Sequence, residues 1–154
     1  IILWKAIYFS YALVLPMILT GFSWWIVFLA FVCMHLVTGM AISTVFQIAH
    51  VMPDLDFPVP DENGKVESER FIHQMVTTTN FSPKNKALTW FIGGLNYQVE
   101  HHLFPNICHI HYRNLSPIVK ETAREFDIPY NSEETFFGAI INHTRMLKEL
   151  GRAA

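Results

Sequence analysis

Two long stretches without a charged side chain decide most of what this chain can become. Residues 6–22, AIYFSYALVLPMILTGF, carry none, and neither do residues 24–46, WWIVFLAFVCMHLVTGMAISTVF. A helix needs about 20 apolar residues, with roughly 17 as the lower limit, to cross the hydrocarbon of a bilayer. The second run meets that length, and the first meets it once residues 1–4 contribute. The turn between them is confined to residues 22–24, so the two runs fold back as a tight transmembrane helical hairpin. Its open ends then lie on the same side of the membrane. Pro16 is expected to kink the first helix, which a membrane helix packed in protein tolerates. Trp4, Trp24 and Trp25 fall near the expected interfaces, where aromatic side chains collect. The competing fold is a buried hairpin of a soluble protein, and two charge-free runs joined by a minimal turn argue against it.

The bulk composition hides this division. Hydrophobic residues make up 51% and charged residues 16% of the 154, only slightly more apolar than an ordinary globular chain. Yet residues 1–50 hold a single charged side chain, Lys5, and nearly all the others follow residue 53. The expected organisation is a transmembrane hairpin over 1–50 and a water-facing helical region over 51–154, one C-terminal portion of a single domain. A net charge of −2 gives no basic footprint for a nucleic acid. Cys33 lies inside an apolar run, so it and Cys108 do not suggest a disulfide framework, which fits a reducing compartment. The chain opens on Ile1 within apolar sequence and reads as a piece of a longer protein. It shows no basic segment or small-residue cleavage site of a signal peptide.

Beyond His50 the fold class expected is all-α. Residues 51–65 are rich in proline and read as an extended loop. A short helix is expected over 66–79. Ser82 and Pro83 form a helix-start signal for a helix over 83–102, with Leu88, Phe91, Ile92, Leu95 and Val99 as its apolar stripe and Pro105 as its stop. Ser116 and Pro117 repeat the signal for a helix to Phe126. Asn131 with Glu134 resembles a capping box for a last helix to Leu150.

The chemistry concentrates in residues 96–105, NYQVEHHLFP. Residues three and four apart share a helix face, so Gln98, His101 and His102 point towards one site. Adjacent histidines differ by about 100° in direction, so the pair serves either two neighbouring metal ions or one ion and its surroundings. A HH pair by itself arises by chance; beside a membrane hairpin it carries more weight.

The segment QVEHHLFP resembles the third histidine box, [HQ]xxHH, of membrane fatty acid desaturases. Its glutamine is the form found in front-end desaturases and their bacterial relatives, and residues 91–112, FIGGLNYQVEHHLFPNICHIHY, resemble that subgroup beyond the box. The resemblance implies two iron ions held mainly by imidazole, a donor suited to iron, that activate O₂ to remove two hydrogens from an acyl chain. It implies His101 and His102 as iron ligands, with His50 as an extra ligand at the end of the last membrane hairpin. Gln98 is either a ligand or a group supporting one. Gln47 is expected near the same site. The resemblance further implies an acyl-CoA or acyl-lipid substrate, a cytochrome b5 or ferredoxin electron donor, contact with membrane lipid, and a cytosolic location for the residues after His50. The family's other boxes, HxxxH (or HxxxxH) and HxxHH, do not occur among His35, His50, His73, His101, His102, His109, His111 and His143. Residues 1–154 alone are therefore expected to hold an incomplete iron site and to lack activity.

Bland readings stand beside these. His50 could simply cap a helix C-terminus, where a cation is favoured. Glu100 points away from the box face and either orients a histidine or is a solvated or charge-paired carboxylate. His35 is expected to be neutral and hydrogen-bonded to the neighbouring helix. His73 is expected to border the site, residues 108–111 to form a turn packed against the box, and His143 to lie on the surface. Asn80, Asn114 and Asn142 each head an N-glycosylation triplet, and a cytosolic location argues against their use. A lipid hydroxylase of the same histidine-box type, or a truncated non-catalytic membrane protein, are the alternative functions.

Overall fold

The computed structural model describes residues 1–66 and 69–153. The chain divides into two compact units, Ile1–Ser43 and Thr44–Ala154. The first contains helix α1 (Ile2–Phe9), a π-helical turn (Ser10–Val14), α2 (Leu15–Thr20) and the N-terminal part of α3 (Trp24–His50). Residues 2–20 form one continuous helical rod, and both it and α3 are long and apolar enough to cross a membrane. Pro16 has no N–H to give to the preceding turn, and the π-helical turn ends at Val14, two residues ahead of it. Gly21 ends α2 in the left-handed conformation, φ 66°, which a glycine adopts without strain. The reversal occupies residues 21–23.

The second unit begins with the last turns of α3. It continues with α4 (Arg70–Val76), β1 (Thr79–Phe81), α5 (Lys86–Phe91), α6 (Gln98–Leu103), a 3₁₀ turn (His109–His111), α7 (Tyr112–Glu125), β2 (Asn131–Glu133) and α8 (Phe136–Ala153). Residues 51–66 contain neither helix nor strand, as their prolines lead one to expect. The start of the helix expected over 66–79 falls partly on residues 67 and 68, outside the described residues.

Among the described residues the unit's strands form one short parallel pair, β1 with β2, in register Thr79↔Asn131, Asn80↔Ser132 and Phe81↔Glu133. Side chains alternate across a strand. Phe81 enters one apolar cluster with Ile48, Ala49, Met52, Leu55 and Ala139. A second cluster, Met75, Val99, Val119 and Ala123, packs between α4, α6 and α7.

Four expectations about helix limits are corrected. The single helix over 83–102 is two helices, α5 and α6, separated by Gly93 and Gly94 at φ 61° and 77°. Gly94 has a further reason to lack a side chain: a Cβ there would lie 2.8 Å from His109 Cβ. The break scatters the supposed apolar stripe, leaving Phe91 exposed. The cap of α5 is Asn85, whose side chain accepts from Leu88 N, while Ser82 adopts φ 49° in the turn before it. α7 starts at Tyr112, directly out of the 3₁₀ turn, so Pro117 lies inside a helix already begun. Asn131 belongs to β2, and Thr135 Oγ1 takes over the capping role by accepting from Gly138 N at 3.0 Å.

Candidate metal centre

Within the second unit, the last residue of α3 meets the short helix α6. His102 Nε2 lies 3.3 Å from His50 Nε2, and Gln98 Nε2 lies 3.5 Å from the same atom. On its other side, His50 Nδ1 approaches the carbonyl oxygen of Thr77 at 3.4 Å. A carbonyl only accepts, so Nδ1 carries the proton and Nε2 presents its lone pair to the site. A second nitrogen held by a backbone carbonyl is the usual support of a metal-binding imidazole. His102 is half-buried. Burial, reinforced by the neighbouring His50 and His101 rings, holds it down at about 4, so at neutral pH it too offers a lone pair.

His101 stands apart from this trio. Its ring centroid is 5.6 Å from that of His102, and its Nδ1 faces the hydroxyl of the buried Tyr112 at 3.4 Å. The adjacent histidines therefore diverge, as their helical spacing demands.

The arrangement fits a metal ion on two counts. Gln98 Oε1 is buried with no hydrogen-bond partner among the described residues, an expensive state for an amide oxygen that a cation would relieve. Two imidazole nitrogens bound to one ion at about 2.1 Å, with bond angles between octahedral and tetrahedral, lie roughly 3.0–3.4 Å apart, matching the His50–His102 separation. The donor set is partial: among the described residues no three His, Cys, Asp or Glu side chains gather closely enough to hold an ion themselves.

Glu100 is fully buried, so the solvated reading fails. Its Oε2 accepts from Asn80 Nδ2 at 2.8 Å and its Oε1 from the Tyr130 hydroxyl at 2.7 Å. Burial pushes its carboxyl up, against the lowering effect of these hydrogen bonds.

Residues 1–134 match the fatty acid desaturase family. This chain belongs to that family. The chain is 42% identical over 147 residues to an acyl-lipid (8-3)-desaturase of Physcomitrium patens, an alignment covering 96% of this chain and 30% of the relative. It is 41% identical over 151 residues to an sn-1 linoleoyl-lipid 6-desaturase of Synechocystis, covering 97% of this chain and 42% of the relative. A like-named protein of Arthrospira platensis is 42% identical over 116 residues, 75% of this chain and 31% of the relative. The chain thus spans less than half the length of these relatives. No solved structure matches it.

Gln47 is exposed, while its neighbours Ile48 and Ala49 are buried, so it does not join the cluster. His73 lies one helical turn before Thr77, whose N–H bonds back to the His73 carbonyl at 3.1 Å. His35 Nε2 lies 2.8 Å from the Tyr8 hydroxyl and its Nδ1 2.9 Å from the Phe31 carbonyl, the hydrogen bond to the neighbouring helix expected of it. In the turn after the box, His109 packs on Gly94 and Tyr112 on His101. His143 corrects its expectation: it is half-buried and donates to the Val51 carbonyl at 2.8 Å, tying α8 to the loop after α3. Asn80 is fully buried with its amide nitrogen engaged, so that triplet cannot be glycosylated in this fold. Sequence reasoning missed Thr77, Tyr112 and Tyr130, which carry no motif and reach the site only through tertiary packing.

Proposed function

We propose that this chain is the C-terminal part of a membrane desaturase that introduces a C=C bond into an acyl chain carried on a lipid. The observation that carries the reading is the convergence of His50, Gln98 and His102, within a chain so similar to acyl-lipid desaturases. His50 and His102 are the groups on this chain that would hold iron together. His101 would serve a second ion, and Gln98 would contribute its amide oxygen or brace His50. Two irons, when bound, supply the activation of O₂ that removes two hydrogens from neighbouring acyl CH₂ groups, O₂ being reduced to water by an external electron donor. The Thr77 carbonyl fixes the His50 tautomer, and the depressed basicity of His102 keeps that ring neutral.

The two apolar helices anchor the protein in the membrane. α3 has 27 residues, about 40 Å at 1.5 Å per residue, against roughly 30 Å of hydrocarbon. That length lets it carry His50 to the water-facing side, where we place the remaining residues on the cytosolic face. Cytochrome b5 or ferredoxin would supply the electrons there.

The test is to express the reading frame that encodes this chain in a desaturase-free host and profile its fatty acids by gas chromatography–mass spectrometry. A new unsaturated acid is expected, and His102→Ala should reduce it at least a hundredfold while lowering bound iron. A hydroxylated acid in its place would move the reading to a lipid hydroxylase. An iron-free protein without product would sink the metal assignment.

A further inference from the structure

The histidine box is gripped from behind by a buried polar cluster. Glu100 lies on α6 between Gln98 and the two histidines in sequence, but at about 100° per residue it projects from the opposite side of the helix. There both its oxygens are occupied, by Asn80 of β1 and by Tyr130 just ahead of β2. Asn80 Nδ2 also donates to the Tyr130 hydroxyl at 2.7 Å, and that hydroxyl meets Ser116 Oγ of α7 at 2.8 Å. Asn80 Oδ1 in turn accepts from Val99 N at 2.9 Å. That N–H belongs to the first turn of α6, where no intrahelical acceptor exists, and α6 has no side-chain cap of its own. Asn80 therefore caps the box helix from another element and holds its Glu100 side chain as well. The parallel pairing of β1 with β2 keeps Asn80 and Tyr130 in reach across 50 positions of sequence.

We propose that Glu100 is a positioning residue: anchored by Asn80 and Tyr130, it fixes the rotation of α6 that aims His101 and His102. A helix of six residues has little packing surface to set its own rotation, and any slip would swing both imidazoles with it. No cation is paired with Glu100 among the described residues. An apolar side chain would fill its place without the cost of burying a carboxyl. Directional bonds from Asn80 and Tyr130, the latter braced by Ser116, specify one orientation, which apolar packing does less sharply. The inference rests on the iron-site reading of the box and adds what holds the box in register.

The experiment uses the intact enzyme, purified, with iron affinity of the folded fraction and thermal melting measured separately, and product formed per electron donor consumed as a third readout. Removal of groups that orient metal ligands typically weakens metal affinity or activity about 10–100-fold. Glu100→Ala is expected to weaken iron binding by at least about tenfold and to uncouple donor consumption from product. Tyr130→Phe should do the same to a smaller degree. Glu100→Gln should restore most of the loss, because its amide can accept from Asn80 and donate to Tyr130, whose hydroxyl then turns to Ser116. Lowered melting in Glu100→Ala and Tyr130→Phe with wild-type iron affinity and coupling would overturn the proposal, leaving the cluster merely structural. If Glu100→Ala does not accumulate folded, Tyr130→Phe decides by the same criteria. A wild-type enzyme without iron, or one whose iron survives His102→Ala, would instead break the iron-site reading itself.

Discussion

The two units of this chain treat apolar and polar side chains in opposite ways. In the first, the large apolar side chains face outwards: Ile18 and Leu19 are each 73% exposed, and among its residues only Val27 is buried. In the second, some of the least accessible side chains are polar: Asn80, Asn96, Gln98 and Glu100 are at most 1% exposed. An exposed apolar surface of that extent is not stable in water and calls for lipid or further protein against it. A buried amide or carboxyl is costly unless hydrogen-bonded; the second unit supplies those bonds to Asn80 and Glu100, while Gln98 Oε1, beside the histidines, has none among the described residues. Exposure in one unit and polarity in the interior of the other are thus two forms of the same rule, that each group is matched to its surroundings. The lesson is that the polar interior, and not the apolar surface, marks the candidate site.

Substitutions that reverse either pattern sharpen the comparison. The largest effect on folding is expected from Asn80→Ala. It leaves Val99 N and Glu100 short of partners, at about 1–3 kcal/mol for each buried group left unsatisfied, or roughly 3 kcal/mol in all. Asn114→Ala, on an exposed asparagine of the same triplet type, should stay within about 0.5 kcal/mol. Chemical unfolding in detergent measures both, and equal effects would dissolve the contrast between the interior and the surface of the second unit. In the first unit, Val37 is 69% exposed. Val37→Asp should disfavour membrane insertion of α3 by about 3 kcal/mol, as read in a translocon insertion assay. A change below about 0.5 kcal/mol, the usual cost of a water-facing surface substitution, would show that water and not lipid bathes that face. The smallest effect belongs to Tyr8→Phe, which removes the hydrogen bond to His35. Side-chain hydrogen bonds between membrane helices average about 0.6 kcal/mol, so the hairpin should persist with a slight loss measurable by steric-trap or thermal unfolding.

Much of the molecule was legible before its structure. The hairpin followed from 17- and 23-residue charge-free runs, and the candidate residues His50 and His102, which the fold brings within 3.3 Å of each other, from the family resemblance. The broken helix was not, although its cause stands in the sequence. Gly93 and Gly94 are a breaker pair, but Leu88, Ile92, Leu95 and Val99 continue an apolar spacing across it and disguise the break. The reading of Glu100 as solvated or charge-paired failed because its partners lie 20 and 30 positions away. His143 failed likewise, since its acceptor Val51 is 92 positions distant.

The sequence by itself determined the elements whose causes are local: apolar length for α1–α3, proline for the loop after His50, and the spacing that places Gln98, His101 and His102 on one short helix. Tertiary structure alone decided that His50 faces His102 across 52 positions, that His101 turns to Tyr112, and that Asn80 caps a helix it does not belong to. The reason is physical. Helical periodicity and backbone preference act within a few residues, whereas a ring's direction and a carboxyl's burial depend on which distant backbone carbonyls and hydroxyls the completed fold brings to meet them.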